Sequence, residues 1–136
     1  MRGTRVAAVL ALLVLAGLGA VLALAWAPDR PVESLIERWA PAPSVFITID
    51  GMAVHVRDEG PRDDRRPLVL IHGTSASLHT WDGWVQALAG QRRVIRFDLP
   101  GFGLTGPAPD NDYTIERYAD FTVRVMDALL VSRAVV

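Results

Sequence analysis

The 136-residue sequence has no cysteine, only three histidines and no basic stripe. Without cysteine, the chain cannot form a disulfide, a thiolate nucleophile, a zinc–thiolate site or a sulfur-linked lipid anchor. The histidines are scattered along the chain at His55, His72 and His79, so we expect no metal site. A formal net charge of −1, with 21% charged residues, gives no reason to expect nucleic-acid binding.

The N-terminal region is apolar. No charged residue occurs between Val6 and Trp26, and a helix of that length spans the roughly 30 Å hydrocarbon core of a bilayer. We expect an uncleaved transmembrane anchor. The alternatives are a cleaved secretory signal ending near residues 23–25 and a buried soluble helix, but secretory signals have shorter apolar regions. Arg2 and Arg5 predict that the N-terminus stays inside and that the rest is extracytoplasmic, or secreted or periplasmic after cleavage.

Three regions are predicted along the chain. Residues 1–27 form the anchor or signal. Residues 28–44 hold four of the nine prolines and predict a stiff stalk, with Leu35, Ile36 and Trp39 lying on the membrane or on the domain. Residues 45–136 form the N-terminal part of a larger domain.

Several short runs have the pattern of β-strands. Residues 45–49 and 52–56 flank Asp50-Gly51, which predicts a β-hairpin. His55 lies in the middle of the second run and should be a surface or packed strand histidine. Residues 68–71 and 94–97 are apolar runs bounded by turn residues, as expected for parallel strands buried on both faces.

A first helix is predicted between these two buried strands. Thr80 would cap it, and Gly90 would end it. Its apolar face, packed on the sheet, would carry Trp81, Trp84, Val85 and Leu88. A strand, a helix and a second parallel strand together make a βαβ unit.

A second helix is predicted over residues 115–131, behind Thr114. After it, residues 134–136 have the pattern of another buried strand. The inner face of the helix would carry Ile115, Tyr118, Ala119, Thr122, Val125, Met126 and Leu129.

Two motif-like stretches are rejected. Residues 73–77 lack the final glycine of G-x-S-x-G, and His79 is too near in sequence to serve Ser75 as a base. Residues 101–106 match G-x-G-x-x-G, but prolines follow where a dinucleotide site needs a helix. Asp98 is expected to brace its turn by accepting backbone N–H bonds.

The segment His72-Gly73 followed by small residues, and the D-x-P-G-x-G segment that starts at Asp98, together resemble the α/β-hydrolase fold. The likeness is to the branch of serine esterases, carbon–carbon bond hydrolases, haloperoxidase-like enzymes and epoxide hydrolases. It implies an α/β fold in which an antiparallel N-terminal hairpin leads into a parallel sheet with crossover helices. The sheet would be incomplete here and preceded by one transmembrane helix.

The resemblance also implies a site. The backbone N–H of Thr74, or of Ser75 as second choice, would point into an oxyanion hole, while Gly73 and His72 would shape the loop. An ordinary strand-to-helix loop is the alternative. The nucleophile, acid and base are not in this chain, because it contains no G-x-S-x-G. We therefore expect an inactive N-terminal fragment of a hydrolase that acts on a small-molecule substrate without a cofactor, and the oligomeric state stays open.

Departures from the pattern bear on the nucleophile. Epoxide hydrolase-like loops usually have proline where Ser75 stands, and dehalogenase-like loops usually have asparagine where Thr74 stands. Both differences favour a serine hydrolase. An aspartate-nucleophile relative and a non-catalytic membrane-tethered binding module remain the alternatives.

Overall fold

The structure is a computed structural model that describes residues 2–136. Its elements are α1 (Arg2–Ala25), α2 (Glu33–Trp39), β1 (Val45–Ile49), β2 (Met52–Glu59), β3 (Leu68–Ile71), a 3₁₀ turn (Leu78–Trp81), α3 (Asp82–Leu88), β4 (Val94–Phe97) and α4 (Ile115–Ala128). One compact unit ends at Arg30, and a second comprises Pro31–Val136.

The first unit is an apolar helix. Its segment Arg5–Ala25 is 21 residues long, has a mean hydropathy of 2.8 and buries none of its side chains. By length and composition, this helix can cross a membrane.

The second unit is built on a four-stranded mixed sheet of order β1-β2-β4-β3. The neighbours β1/β2 and β2/β4 are antiparallel, while β3 and β4 run parallel with Leu68 opposite Val94. Asp50 and Gly51 both have positive φ, at 52° and 80°, as a two-residue hairpin turn requires. The predicted hairpin and parallel pair are confirmed.

On its other side, β3 meets the last residues of the chain. Val135 forms a parallel bridge with Leu68. The N–H of Val69 donates to the carbonyl of Val135 at 2.8 Å, and the N–H of Val135 donates to the carbonyl of Pro67 at 2.9 Å. β3 therefore lies between β4 and a strand-like terminal segment.

The two faces of the sheet differ in polarity. One face packs Val54, Val56 and Phe97 against α4, where Phe121 meets Phe97 edge-on at 5.9 Å between ring centroids. The opposite face carries His55, Arg57 and Arg96, all buried. Alternation along each strand separates the two sets, because successive side chains point to opposite faces.

β2 is longer than predicted. It continues to Glu59 because residues Val56 to Glu59 pair with Phe97 to Val94 of β4. The sequence of β2 alone does not reveal this partner.

The predicted start of α3 is wrong. Thr80 lies inside the 3₁₀ turn, where its N–H donates to the carbonyl of Ser77, and α3 begins at Asp82 without a side-chain cap. The inward positions are therefore Leu78 and Val85, whereas Trp84 is 59% exposed. Trp84 precedes Val85 by one residue, which turns it about 100° away from the sheet.

α4 begins where predicted and ends earlier, at Ala128. Thr114 caps it by accepting the N–H of Arg117 at 3.3 Å. Its buried side chains are Phe121, Thr122 and Val125. Ile115 was placed on the inner face and is 83% exposed, because the buried stripe is centred on Phe121, which the prediction omitted.

The segment predicted as a stalk contains α2. The helix belongs to the compact unit Pro31–Val136, and the carbonyl of Trp39 lies 2.9 Å from Nε2 of His79. Trp39 and His79 also contact through their rings, with centroids 5.8 Å apart. The assignment of residues 28–44 to a stalk stays a prediction.

Candidate active site

The loop after β3 carries the predicted site residues. His72 is buried, while Gly73, Thr74 and Ser75 are exposed at the carboxyl end of the strand. Ser75 has a φ of 59°, in the left-handed region, which turns the chain sharply. Within residues 2–136, the backbone N–H groups of Thr74 and Ser75 donate to no acceptor, whereas that of Ala76 donates to the carbonyl of Gly73. Two adjacent backbone donors are thus free at this end of the sheet.

His72 joins the loop to the end of β4. Its Nε2 accepts the backbone N–H of Leu99 at 3.0 Å, so the proton of the neutral ring is on Nδ1. Nδ1 lies 2.9 Å from the carbonyl oxygen of Gly73 and donates to it. The imidazole therefore fixes the β3 loop and the β4 loop to each other.

Asp98, directly after β4, holds a second set of contacts. Its Oδ1 accepts the N–H of Leu78 at 2.7 Å, and its Oδ2 accepts the N–H of Leu104 at 2.8 Å. Oδ2 is also 2.9 Å from Nδ1 of His55. The prediction that Asp98 braces its turn is confirmed, and the carboxylate reaches further, to the end of the β3 loop.

The charge state of Asp98 follows from these partners. Burial of the side chain raises the pKa of this carboxyl group, but the hydrogen bonds from His55, Leu104 and Leu78 outweigh burial and hold the pKa below its ordinary value. Asp98 is therefore an ionised carboxylate near neutral pH.

Gly103 is the residue that lets the chain fold over this carboxylate. Its φ is +54°, and a Cβ atom placed there would lie 2.2 Å from Oδ2 of Asp98. The glycine-rich stretch 101–106 is a turn around Asp98 and does not open a helix. The stretch thus lacks the helix N-terminus to which this motif binds a pyrophosphate.

His55 links Asp98 to the segment before β1. Its Nε2 is 2.8 Å from Oγ of Ser44, and the same oxygen accepts a hydrogen bond from Nε of Arg57 at 2.8 Å. His55 has no exposed surface, and the ring of Phe46 stacks on it at 5.2 Å between centroids. It is a packed strand histidine, one of the two predicted forms.

A cavity of about 260 Å³ opens beside these loops. It lies between α2 and the residues that follow β3 and β4, and it is mainly apolar. Its lining comprises Leu35, Trp39, Ser77, His79, Asp98, Gly103 and Leu104. Among residues 2–136, no group of three or more histidine or acidic side chains is placed to hold a metal ion.

The sequence singled out His72, Gly73, Thr74 and Ser75, and the structure places them together on one loop. It did not predict the contact of His55 with Asp98 or that of Ser44 with His55. The first of these depends on the pairing of β2 with β4, in which the N–H of Asp98 bonds to the carbonyl of His55. The turn residues around Asp98 were the one feature of the sequence that pointed to contacts of this carboxylate.

Comparisons with known proteins agree with the fold. The family model described as alpha/beta hydrolase fold matches residues 66–136. A haloalkane dehalogenase from Psychrobacter cryohalolentis is 40% identical over 80 residues, which cover 57% of this chain and 26% of that protein. A 2-hydroxymuconate semialdehyde hydrolase from a Pseudomonas species is 37% identical over 71 residues, covering 50% of this chain and 25% of that protein.

A crystal structure of a membrane phospholipase A superimposes with a TM-score of 0.64 at 24% identity, over 98% of this chain and 42% of the other. This likeness concerns the fold. The chain spans about a quarter of the length of the two curated relatives.

Proposed function

The chain belongs to the α/β-hydrolase family, and from that premise we propose that its β3 loop supplies a backbone donor to the oxyanion hole of a hydrolase. The donor is the N–H of Thr74, with that of Ser75 as second choice, and His72 and Gly73 shape the loop. The reaction is hydrolysis of an ester, another acyl bond or a carbon–carbon bond in a small-molecule substrate, through a serine nucleophile and without a cofactor.

The observation that carries the proposal is the pair of unused backbone donors. Within residues 2–136, neither the N–H of Thr74 nor that of Ser75 meets an acceptor, although both lie at the end of a partly buried strand. An oxyanion hole requires such donors, fixed in advance where negative charge develops on the carbonyl oxygen. Both residues are exposed, so water satisfies these N–H groups until a substrate oxygen takes its place.

The loop is also held in place from both sides. His72 ties its beginning to Leu99, and Asp98 accepts the N–H of Leu78 at its end. Preorganised donors stabilise a transition state because they need not reorient during the reaction. The two anchors supply that rigidity.

The neighbour of β3 supports the placement of a nucleophile. Val135 is paired in parallel with Leu68, and Ile71 lies three residues further along β3. If this strand continues in a longer protein, the third residue after Val135 would lie opposite Ile71. A nucleophile elbow placed there would follow a strand beside the free donors.

The reading frame after codon 136 tests the proposal. An in-frame G-x-S-x-G soon after Val136 supports a serine hydrolase whose nucleophile elbow follows these 136 residues. A stop codon directly after Val136 would contradict it and favour a non-catalytic module.

Activity of the protein translated from the whole reading frame gives a second test. Thr74→Pro removes the backbone N–H and should lower kcat about a hundredfold or more, the usual effect of losing one oxyanion donor. Thr74→Ala keeps the N–H and serves as the matched control. Equal losses in both variants, with intact far-UV circular dichroism, would rule out the backbone donor.

An aspartate nucleophile is the second candidate, favoured by the 40% identity to a haloalkane dehalogenase. Thr74 and Ser75 argue against it, because dehalogenase-like loops usually have asparagine at the first position and epoxide hydrolase-like loops usually have proline at the second. The residue at the centre of the elbow decides between the two.

The N-terminal helix serves, in this proposal, as an uncleaved anchor with its N-terminus inside and the hydrolase portion extracytoplasmic. Its support is the 21-residue apolar segment Arg5–Ala25 and the two arginines on its N-terminal side. Residues 28–44 then connect the anchor to the domain.

A further inference from the structure

A chain of hydrogen bonds joins a serine, a histidine and an aspartate on the polar face of the sheet. Oγ of Ser44 is 2.8 Å from Nε2 of His55, and Nδ1 of the same ring is 2.9 Å from Oδ2 of Asp98. His55 and Asp98 are 0% and 1% exposed. The three side chains come from the segment before β1, the middle of β2 and the end of β4.

The protons in this chain can be assigned from the partners. The ionised carboxylate of Asp98 accepts, so Nδ1 of His55 carries the ring proton and donates it. In the neutral ring, Nε2 is then an acceptor. Arg57 can only donate, so Oγ of Ser44 accepts the hydrogen bond from Nε of Arg57, and the hydroxyl proton is directed to Nε2. This is the order of donors and acceptors found in a serine nucleophile activated by a histidine base.

Ser44 is fixed in position and is not fully buried. Its N–H donates to the carbonyl of Pro41 at 3.0 Å, which closes a turn immediately before β1. β1 is the edge strand of the described sheet, and Ser44 itself is partly exposed. The guanidinium of Arg57 lies beside Oγ and favours negative charge on this oxygen.

These residues do not occupy the positions from which other α/β-hydrolases supply their catalytic triad. In α/β-hydrolases the nucleophile lies on a strand-to-helix turn, and the order along the chain is serine, acid, histidine. Here the order is Ser44, His55, Asp98, and the serine precedes an edge strand. Triads are recognised by geometry and roles and not by order.

We propose that Ser44, His55 and Asp98 form a nucleophilic centre in which Ser44 attacks activated acyl or phosphoryl donors. The Ser44 oxygen forms the new bond to the carbonyl carbon or phosphorus, and the bond to the leaving group breaks. The Ser44 proton passes to Nε2 of His55 and then to the leaving group. Asp98 stabilises the imidazolium that forms between these steps.

The test is covalent labelling of the full 136-residue chain, kept in detergent, with a fluorophosphonate. The oxygen–phosphorus bond forms, the phosphorus–fluorine bond breaks, and the proton leaves with fluoride. Peptide mapping by mass spectrometry should find the adduct on Ser44, and heat-denatured protein should not be labelled. Ser44→Ala should abolish labelling, whereas Ser132→Ala, a change at an exposed serine, should leave the rate unchanged.

The role of His55 is tested by His55→Gln, which should slow labelling about a hundredfold or more, as loss of a general base does. If this variant does not fold, as judged by circular dichroism, the site of the adduct on folded wild type decides alone. Absence of an adduct, an adduct on another serine, or an unchanged rate in folded His55→Gln would each overturn the proposal. None of these outcomes depends on Thr74 or Ser75, so failure here leaves the oxyanion proposal standing.

Discussion

Replacement of Gly103 by alanine should destabilise the domain through Asp98. The added Cβ would lie 2.2 Å from Oδ2 and 2.6 Å from Oδ1 of that carboxylate, distances that atoms in proteins do not tolerate. The loop or the carboxylate must therefore move. Asp98 accepts bonds from Leu78, Leu104 and His55, and movement breaks at least one of them.

The magnitude follows from two contributions. A left-handed backbone costs an L-residue about 1–2 kcal/mol, and a hydrogen bond to a charged group contributes about 1.5–3 kcal/mol. Together they predict a loss of about 3 kcal/mol or more in the free energy of unfolding.

Gly51→Ala is the matched control. Gly51 also has a positive φ, of +80°, but nothing lies within 4 Å of the position its Cβ would take. It should therefore cost only the backbone contribution, and the two variants should differ by about 2 kcal/mol.

The assay is urea unfolding of the full chain in detergent micelles, followed by tryptophan fluorescence and evaluated as free energies of unfolding. If Gly103→Ala is no more destabilising than Gly51→Ala, the carboxylate is not packed against the turn as described. The account of Asp98 as the anchor of both loops would then fail.

Three further predictions concern charge and the membrane. The folded pKa of Asp98 lies below its ordinary 3.8, so its stabilisation is present above pH 3.8 and is lost as pH falls toward the folded pKa; the difference in unfolding free energy between wild type and Asp98→Asn should shrink over that window, and a constant difference would contradict this. Arg93 holds Asp58 through two hydrogen bonds of 2.9 and 2.8 Å with both side chains largely buried. Because Asp58 keeps Arg62 as a partner, Arg93→Met should cost about 1.5–3 kcal/mol, against about 0–1 kcal/mol for the half-exposed Arg124→Met; similar losses in a urea titration would refute the distinction. Alkaline carbonate washing should leave the chain in the membrane pellet, and its release into the supernatant would contradict the anchor. A cysteine introduced as Ser132→Cys, the only one in the sequence, should react with an impermeant maleimide on intact cells, and a protected thiol would contradict the proposed orientation.

Local sequence patterns predicted the strands well. β1, β3 and β4 have the predicted limits, because short β-branched and apolar runs between turn residues determine them. The Asp50-Gly51 turn was equally local, since only residues that tolerate positive φ suit it. The paired motifs after β3 and β4 sufficed to indicate the family.

Contacts between distant segments were beyond reach. The pairing of β2 with β4 puts His55 beside Asp98, and no pattern within either strand records that register. The prediction of the buried face of α3 failed for a related reason. The 3₁₀ turn Leu78–Trp81 shifted the start of α3, and Trp84 became exposed although its spacing suited the core.

The division of the sheet into an apolar and a charged face disfavours any other register of β2 against β4. If β2 slid by one residue against β4, every side chain of β2 would exchange faces. His55 and Arg57 would then lie beneath α4, against Phe121 and Val125, without the Asp98 carboxylate and the Ser44 hydroxyl that now accept their hydrogen bonds. The shifted register would thus bury the Arg57 cation among apolar side chains, which makes it much less stable than the native register.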